Sequence, residues 1–395
     1  MQENSVSVTL AAGSAPYQKT LASSLLRAGM LRRVLDLGPY LGVQEPDGNG
    51  SLKNIRQFPI YTFANRMAWG IWRRLPARVR PHALVGLTVS ASDRLLAKWI
   101  TPSTIFHGRT ATCLTSLRVA RNQGAITLVE NASRHPQHWK EAEVEEGRRF
   151  GVNIRDGSGD LTETVMQRRE QEFQLCDRIV VPSTVARQSF AEMGYGEKTS
   201  VVPVGVDAEL FVPRSADPPS AFRVCYVGRV ELAKGLGDLL RAWKRLALPR
   251  AELLLVGAVK PQMKSLLETY GDSSVRLTGF LSPQDVAQRY RESSAFVLPS
   301  PNEGFGLVLL EAMASGLPSI GTDMTGAVDC IQNGKDGMIV PARNADALAN
   351  AILWCYRHPD ESRAMGQAAR VKVESEFTLE HYNQRVMAFY RSLAA

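Results

Sequence analysis

Residues 296–318 read FVLPSPNEGFGLVLLEAMASGLP and decide the fold of the second half of the chain. The apolar run Ala295–Leu298 predicts a buried strand. This strand ends at Pro299, because proline cannot donate a hydrogen bond to a sheet ladder. A glycine-bearing turn follows, and a helical pattern then covers residues 307–315. The stretch therefore predicts a strand, a tight turn and a helix in direct succession.

The turn and the helix start favour an anionic ligand, because unpaired backbone N–H groups and the positive end of the helix dipole meet there. Two carboxylates flank this element. Glu303 stands at the mouth of the turn, and Glu311 lies further along the helix. A carboxylate is a strong acceptor for hydroxyl groups, so we expect the two glutamates to hold the hydroxyl-bearing parts of the ligand.

The chain has 395 residues, which is more than one ordinary core supports, so two domains are expected. Its 44% apolar and 22% charged residues are typical of a globular protein. The net charge of +8 is compatible with nucleic acid, an anionic membrane face or phosphorylated substrates. Charge alone does not choose among these three partners.

Cysteines and histidines show no metal-ligand spacing, and the five cysteines are scattered singly. This pattern predicts buried thiols in a reducing compartment and no metal site. We see neither a signal-peptide pattern nor an apolar run of the ~20 residues that span a bilayer. The expected location is therefore the cytoplasm, with peripheral binding to the inner face of the membrane as an added hypothesis.

That hypothesis rests on residues 63–80, which begin with Phe63 and end with Arg80. The segment combines two tryptophans with five arginines in a helical pattern. Such a basic helix is typical of binding to an anionic membrane surface. The alternative is a core helix with a solvated arginine face. Nucleic-acid binding is not expected, because no motif for it accompanies the charge.

Strand and helix patterns alternate through both halves of the chain. A βαβ pattern with a turn at Gly13 opens the first half, where Gly13 is either a phosphate-binding glycine or a plain tight turn. Residues 42–58 are polar and contain glycine, which predicts a loop. Residues 83–89 predict a further strand, and residues 92–99 a helix. The alternation predicts two α/β, doubly wound, Rossmann-like domains that face a cleft. We expect the first domain at 1–205, a linker at 206–220 and the second domain at 221–377.

Two polar clusters in the first half follow predicted strands. One contains His107, and the other contains Asn131 and His135. Ligands bind outside the carboxyl ends of strands in open α/β sheets, so both clusters are candidate sites. The alternative is that polar residues simply mark the change from strand to loop.

Two cations flank the turn after the first strand of the second half. Arg229 offers a fork of donors for phosphate oxygens, and Lys234 offers a point charge. Together with Glu303 and Glu311 they describe a site for a diphosphate with a sugar at each end, which is a nucleotide sugar. The alternative is a surface ion pair between Arg229 and Glu231.

These residues resemble the retaining GT-B glycosyltransferases of the large glycosyltransferase family 4 group, which includes bacterial mannosyl- and glucosyltransferases and sucrose synthase. The resemblance covers about residues 177–345. It is carried by Gly228-Arg229, Lys234-Gly235, Gly279-Phe280, Pro299-Ser300, Glu303-Gly304-Phe305-Gly306, Glu311 to Pro318, and Pro203 to Asp207. It implies a GT-B fold whose last helix, at about 378–395, returns to the first domain.

The resemblance also implies roles for individual residues. Arg229 and Lys234 would hold the donor diphosphate and stabilise the leaving group, and Glu303 would bind the transferred sugar. Glu311 would accept hydrogen bonds from the ribose. The remaining donor-binding positions would be Gly13, Gly228, Phe280, Gly304, Phe305, Gly306 and Leu307.

Many relatives carry a histidine in the region of residues 130–131, and this sequence does not. His107, Asn131 and His135 are the acceptor-side candidates that could take its place. Acceptor activation therefore has no single assigned residue.

The expected activity is transfer of a hexose from a nucleoside-diphosphate sugar to a hydroxyl of a glycan or lipid-linked acceptor. The family outcome is retention, without metal or cofactor, and the expected role is in envelope polysaccharide or glycolipid synthesis. The alternatives are a sugar-nucleotide epimerase of the same fold and a non-catalytic binding protein.

Overall fold

The computed structural model describes residues 6–12, 16–36, 55–57, 82–152, 163–214 and 221–395. Gly13 and residues 63–80 lie outside the described residues, so the predictions for them stay predictions. Within the described ranges the chain forms two parallel sheets, each covered by helices.

The first sheet is built from residues that precede the predicted linker. Its strands are β1 Val8–Ala12, β2 Leu31–Asp36, β3 Ile55–Gln57, β4 Ile105–Arg109, β5 Ile126–Glu130, β6 Arg178–Val181 and β7 Thr199–Val201. Their order is β3-β2-β1-β4-β5-β6-β7, and every pair is parallel. The helices are α1 Pro16–Arg27, α2 His82–Ala97, α3 Leu114–Asn122, α4 Pro136–Arg149, α5 Glu163–Leu175 and α6 Thr184–Glu192. The direction of winding reverses between β1 and β4, which is where a doubly wound sheet binds its ligand.

The second sheet repeats this plan. Its strands are β8 Phe222–Val227, β9 Ala251–Val256, β10 Val275–Gly279, β11 Ala295–Leu298, β12 Ser319–Thr322 and β13 Met338–Val340. They pair in parallel in the order β10-β9-β8-β11-β12-β13, so winding reverses between β8 and β11. The helices are α7 Leu236–Leu246, α8 Lys264–Tyr270, α9 Pro283–Arg291, α10 Leu307–Ala314, α11 Ala327–Cys330, α12 Ala345–Arg357 and α13 Pro359–Glu376. The prediction of two Rossmann-like doubly wound units is confirmed.

The last helix, α14 Leu379–Ala394, returns to the first sheet and packs on α1. The rings of Tyr17 and Tyr382 meet edge to face with centroids 5.2 Å apart, and Asn383 Nδ2 donates to Ser24 Oγ at 3.0 Å. Leu21 and Tyr390 belong to one buried apolar cluster. The predicted return of the C-terminal helix is therefore confirmed.

The chain crosses between the two units at two neighbouring points. Val206 N donates to Phe377 O at 2.9 Å, and Leu379 N donates to Val206 O at 3.1 Å. A Cβ on Gly205 would lie 2.3 Å from Thr378 O, so only glycine allows this approach. The boundaries at 205, 220 and 377 stay predictions, and residues 215–220 of the linker lie outside the described residues.

Helix α4 connects the two units through a buried ionic network. Arg149 donates to both carboxylate oxygens of Asp238 on α7, at 2.7 and 3.0 Å. It also contacts the fully buried Glu146 at 3.1 Å, and Arg343 of the second unit donates to Glu146 at 2.7 Å. The network fixes the C-terminal end of α4 against the second unit.

Two local predictions about secondary structure were wrong. Residues 83–89 lie in helix α2, which runs from His82 to Ala97 without a break. A short apolar run cannot be told from a buried helix by periodicity alone, and the helix continues through residues that were predicted as helical. Residues 55–57, expected to be loop, form strand β3 at the edge of the described sheet, where it pairs with β2.

No helix in the described part of the chain combines the length and the apolar character needed to cross a membrane.

Candidate active site

The candidate site lies at the carboxyl ends of β8 and β11, where the second sheet reverses its winding. The turn after β8 carries Arg229 and Lys234, and the turn after β11 carries Glu303. Gly235, with a φ of +72°, brings these turns together, because a Cβ there would lie 2.0 Å from Pro299 O. The two predicted halves of the site are therefore adjacent.

Lys234 and Glu303 form an ion pair, with Nζ 2.6 Å from Oε2. Their side chains are 15% and 19% exposed, so the pair is mostly shielded from water. Ser300 Oγ lies 3.4 Å from the same carboxylate oxygen. A partly desolvated ammonium is suited to bind an oxyanion, since charges act more strongly there than in bulk water.

Arg229 takes a different partner. Its guanidinium lies 3.0 Å from Glu231 Oε1, which is the ion pair considered as an alternative in the sequence analysis. It also lies over the ring of Trp139, from helix α4, at 5.9 Å. The Arg229 side chain remains 41% exposed, so the ion pair leaves part of the guanidinium accessible to a ligand.

The glycine turn forms the start of α10. Gly306 has a φ of +88°, a left-handed conformation that favours glycine. Among the described residues, no hydrogen-bond acceptor contacts the N–H groups of Gly304, Phe305 or Gly306. These donors, with Leu307 as the first helical residue, have the arrangement expected of an anion site at a helix N-terminus.

Gly304 also contacts the first unit through its main chain. A Cβ at this position would lie 2.0 Å from Ala132 O of the first unit. Ser183 Oγ, at the N-terminal end of α6, donates a hydrogen bond to Gly304 O. Main-chain atoms thus meet directly across the cleft at this point.

Glu311 lies one turn further along α10 and is partly buried. Tyr290 OH donates to Glu311 Oε2 at 3.1 Å. Burial raises the pKa of Glu311 to about 7, and the hydrogen bond from Tyr290 opposes this shift. A carboxylate with this pKa gains from hydroxyl groups that donate to its charged form.

Two further donor-side residues lie at turns. Gly228 follows β8 with a φ of +148°, and a Cβ there would lie 2.7 Å from Tyr226 OH. Phe280 follows β10 and is 85% exposed, the largest exposure among the large hydrophobic side chains that the structure describes. An exposed ring at the rim of the cleft offers a face for stacking.

A cavity of about 190 Å³ lies between the two units beside Glu303. The second unit contributes Glu303, Gly306 and Leu307, and the first contributes Tyr17 and Glu130. Tyr382 of the returning helix completes the wall. The cavity therefore joins the predicted donor residues to Tyr17 and Glu130, which were not among the three acceptor-side candidates.

Glu130 is the most prominent of these additional residues. It ends β5, is buried, and accepts a hydrogen bond from Gln18 Nε2 at 2.7 Å. His107 Nε2 lies 3.7 Å from the same carboxylate oxygen. Burial raises the pKa of Tyr17 well above its usual value, and the nearby charge of Glu130 raises it further. Its position at the end of a central strand was the only sequence signal for Glu130, and that signal applied equally to its neighbours.

The three acceptor-side candidates lie in different surroundings. His107 is buried, its Nδ1 lies 2.6 Å from Tyr390 OH, and burial lowers its pKa. Asn131 is buried and donates to Ser133 O at 2.6 Å.

His135 caps helix α4. Its Nδ1 accepts a hydrogen bond from Gln137 N at 3.3 Å, and its ring packs against Phe173 and Phe190. These contacts give His135 a structural role away from the cavity.

A cluster of three or more His, Cys, Asp and Glu side chains that could hold a metal ion is absent from the described ranges.

Comparison with known proteins shows which family the second unit resembles. The family Glycosyl transferases group 1 matches residues 209–372. The second unit is therefore similar to the group 1 glycosyl transferases. The resemblance to the retaining family 4 group is thereby supported on the part of the chain that carries its motifs.

A relative with 29% identity over 210 residues is a protein named putative colanic acid biosynthesis glycosyltransferase WcaL, from Escherichia coli. The match covers 50% of this chain and 52% of the relative. The chain thus spans about half the length of this curated relative.

Solved structures match over nearly the whole chain. Sucrose-phosphate synthase from Thermosynechococcus elongatus aligns with a TM-score of 0.69 and 22% identity, covering 98% of this chain and 99% of that one. HepE from Anabaena, solved in complex with UDP and glucose, aligns with a TM-score of 0.64 and 15% identity, covering 98% and 100%. The predicted GT-B fold is confirmed.

Proposed function

We propose that the two units together transfer a hexose from a nucleoside-diphosphate sugar to an acceptor hydroxyl. The observation that carries the proposal is the Lys234–Glu303 pair, 2.6 Å apart at the reversal point of the second sheet and beside the cavity between the units. A cation, a sugar-binding carboxylate and a helix N-terminus match the three parts of such a donor. HepE, which shares the fold, was solved with UDP and glucose.

The proposed mechanism depends on where charge develops in the transition state. When the bond between the anomeric carbon and the phosphate oxygen breaks, the electron pair leaves with the nucleoside diphosphate, and the sugar becomes oxocarbenium-like. Fixed cations and dipoles at the diphosphate stabilise that transition state most. Lys234, Arg229 and the N–H groups of residues 304–306 would supply them. Glu303 would hold the sugar hydroxyls.

We propose retention, in which the acceptor oxygen attacks on the face from which the diphosphate leaves. The acceptor proton would pass to the departing phosphate oxygen, so that atoms and charge balance. The resemblance to a retaining family supports this proposal. Nuclear magnetic resonance of the product gives the anomeric configuration and tests it directly.

The experiment that tests the proposal measures release of nucleoside diphosphate from UDP-, GDP-, ADP- and dTDP-hexoses, with and without acceptor. Release that depends on one donor supports transfer. An altered sugar formed from donor alone would instead support an epimerase. Tight donor binding without turnover for any acceptor would support a non-catalytic role.

Turnover is expected to be independent of metal, because Lys234 and Arg229 would provide the positive charge that a divalent ion supplies in other enzymes. We expect the rate of nucleoside diphosphate release to be the same with EDTA as with added Mg²⁺. A loss of activity with EDTA that Mg²⁺ restores would contradict this expectation.

Donor affinity is expected to rise with pH between about pH 6 and pH 8, because the ribose hydroxyls would donate to the ionised form of Glu311. Burial raises the pKa of this residue to about 7, so below that pH donor binding must first remove a proton. Each pH unit below the pKa then weakens binding by up to about tenfold. Calorimetric dissociation constants across this range test the expectation. Glu311→Gln should bind with little pH dependence, and a flat wild-type profile would refute the role.

We further propose a role in envelope polysaccharide or glycolipid synthesis at the cytoplasmic face of a membrane. The relation to a colanic acid biosynthesis protein supports this role. The basic tryptophan-bearing segment at residues 63–80 would provide the membrane contact.

For that segment we expect co-sedimentation with vesicles that contain anionic lipid and little with neutral vesicles. Replacing Trp69, Trp72, Arg73 and Arg74 together should abolish the difference. Binding that survives these four changes would rule out the segment as the membrane contact.

A further inference from the structure

A second cavity, of about 600 Å³, opens in the first unit at the carboxyl ends of β4 and β5. Arg109 ends β4 and Thr110 follows it, and Asn131 follows β5; all three line the cavity. Ala132 lines both this cavity and the smaller one beside Glu303. A molecule bound here would reach the place where the donor sugar is proposed to lie.

The wall of this cavity is positively charged. Its lining residues include Arg109, Arg168 and Arg169 and, within the described part of the chain, no aspartate or glutamate. Arg168 is held by Asp93 and lies 3.7 Å from Glu172, both fully buried, so its charge is compensated. The side chain of Arg109 makes no hydrogen bond or ion pair with the residues that the structure describes. Arg109 is therefore a source of positive charge for a ligand in this cavity.

Two polar atoms in the same wall are unsatisfied. Asn131 Oδ1 and Thr110 Oγ1 are buried and have no hydrogen-bond partner among the residues that the structure describes. Asn131 as a residue is completely buried, and its amide nitrogen already donates to Ser133 O. Buried polar atoms without partners are uncommon and destabilising, so each points to a ligand that supplies the missing bond. Asn131 Oδ1 is an acceptor and would take a hydroxyl group.

The loop between β4 and α3, which forms part of the cavity wall, is held by hydrogen bonds. Ala111 has a φ of +71°, which is unfavourable for a residue with a side chain. Two hydrogen bonds with helix α5 hold the loop in this conformation. Cys113 N donates to Glu172 Oε1 at 2.9 Å, and Arg168 Nε donates to Ala111 O at 3.0 Å. Arg168 and Glu172 therefore fix the conformation of the loop, whereas Arg109 lines the cavity.

We propose that this cavity binds the acceptor through an anionic group, a phosphate or a carboxylate, that contacts Arg109. Asn131 and Thr110 would bind acceptor hydroxyls, and the attacked hydroxyl would lie toward Ala132 and the donor. This inference rests on the proposed glycosyl transfer and narrows its acceptor to acidic sugars. A neutral acceptor would leave the guanidinium charge in the cavity unmatched.

The test measures binding of three probes by calorimetry: D-glucose 6-phosphate, D-glucuronate and D-glucose. The phosphate and carboxylate probes are expected to bind at least tenfold more tightly than glucose, since charge-assisted hydrogen bonds contribute about 1.5–3 kcal/mol. Comparing the two anionic probes distinguishes a phosphorylated from a uronic acceptor. Inorganic phosphate, added as a competitor, shows whether the anion alone is sufficient.

Arg109→Gln removes the charge and is expected to weaken both anionic probes by about 10- to 100-fold, with glucose unchanged. Arg109→Lys keeps the charge and should retain more of the affinity. Arg118→Gln is the matched control, because Arg118 is an exposed arginine of α3 outside the cavity. Thermal unfolding of each variant verifies that the fold is kept.

The outcomes separate this inference from the proposed function. Equal affinity for glucose and the anionic probes, an unchanged affinity in Arg109→Gln, or no binding of either anionic probe at millimolar concentration would overturn the anionic acceptor. Donor-dependent nucleotide release would stand in each of those cases. Anion binding that needs Arg109, with no nucleotide-sugar binding, would overturn the proposed transfer and leave an anion site.

Discussion

Lys234→Ala is expected to lower kcat/KM for donor turnover by about 10²- to 10³-fold, the usual cost of removing one fixed group that stabilises transition-state charge. The ammonium is 15% exposed and 2.6 Å from Glu303, so water cannot readily replace it. The loss should appear mainly in kcat, because the leaving diphosphate gains its charge in the transition state. Initial rates of nucleoside diphosphate release measure the effect.

Lys264→Ala is the matched control for this prediction. Lys264 belongs to the same domain, but its side chain is 83% exposed and its nearest carboxylate, Glu268, is 4.0 Å away. Its removal should leave turnover within about twofold, as is usual for a surface substitution. If Lys234→Ala retained turnover as Lys264→Ala does, the assignment of Lys234 to the diphosphate would be wrong.

Arg149→Ala is expected to destabilise the protein by about 3–5 kcal/mol, the usual cost of removing one partner of a buried ion pair. The reason is that Asp238, whose side chain is 4% exposed, would lose its two charged hydrogen bonds. Glu146 would keep only Arg343. Urea unfolding followed by tryptophan fluorescence and far-ultraviolet circular dichroism measures the change.

The neighbouring Arg148 provides the comparison. Its side chain is 77% exposed and, among the described residues, pairs only with Glu145 of the same helix, so Arg148→Ala should cost less than about 0.5 kcal/mol. Similar stability losses in the two variants would show that the network contributes nothing beyond helix propensity.

The donor side of the site could be predicted because its information is local in sequence. The strand and the helix around the Glu303 turn follow from apolar periodicity, and the cations after β8 follow from a second strand-turn pattern. Sheet topology then brings Lys234 and Glu303 together, since β8 and β11 are neighbours at the reversal point. Local pattern and fold class were sufficient to predict that these residues lie together, and their role in donor binding stays a prediction.

The acceptor side could not be predicted in the same detail, because tertiary packing brings its residues together from distant parts of the sequence. Glu130 and Tyr382 line one cavity only because the last helix returns across the first unit. Nothing local distinguishes Glu130 from its neighbours at the end of β5. His135 looked like a site residue for the same reason, yet its ring nitrogen caps a helix.

The direct main-chain contact at Gly304 has a consequence for how proteins of this fold can diversify. At this point the width of the cleft is set by backbone atoms, because no side chain separates Gly304 from Ala132 O. For the proposed transfer, the distance from donor to acceptor would then be independent of the side chains around the rim. Substitutions in the first unit would change which molecule is accepted without changing the distance over which the sugar moves.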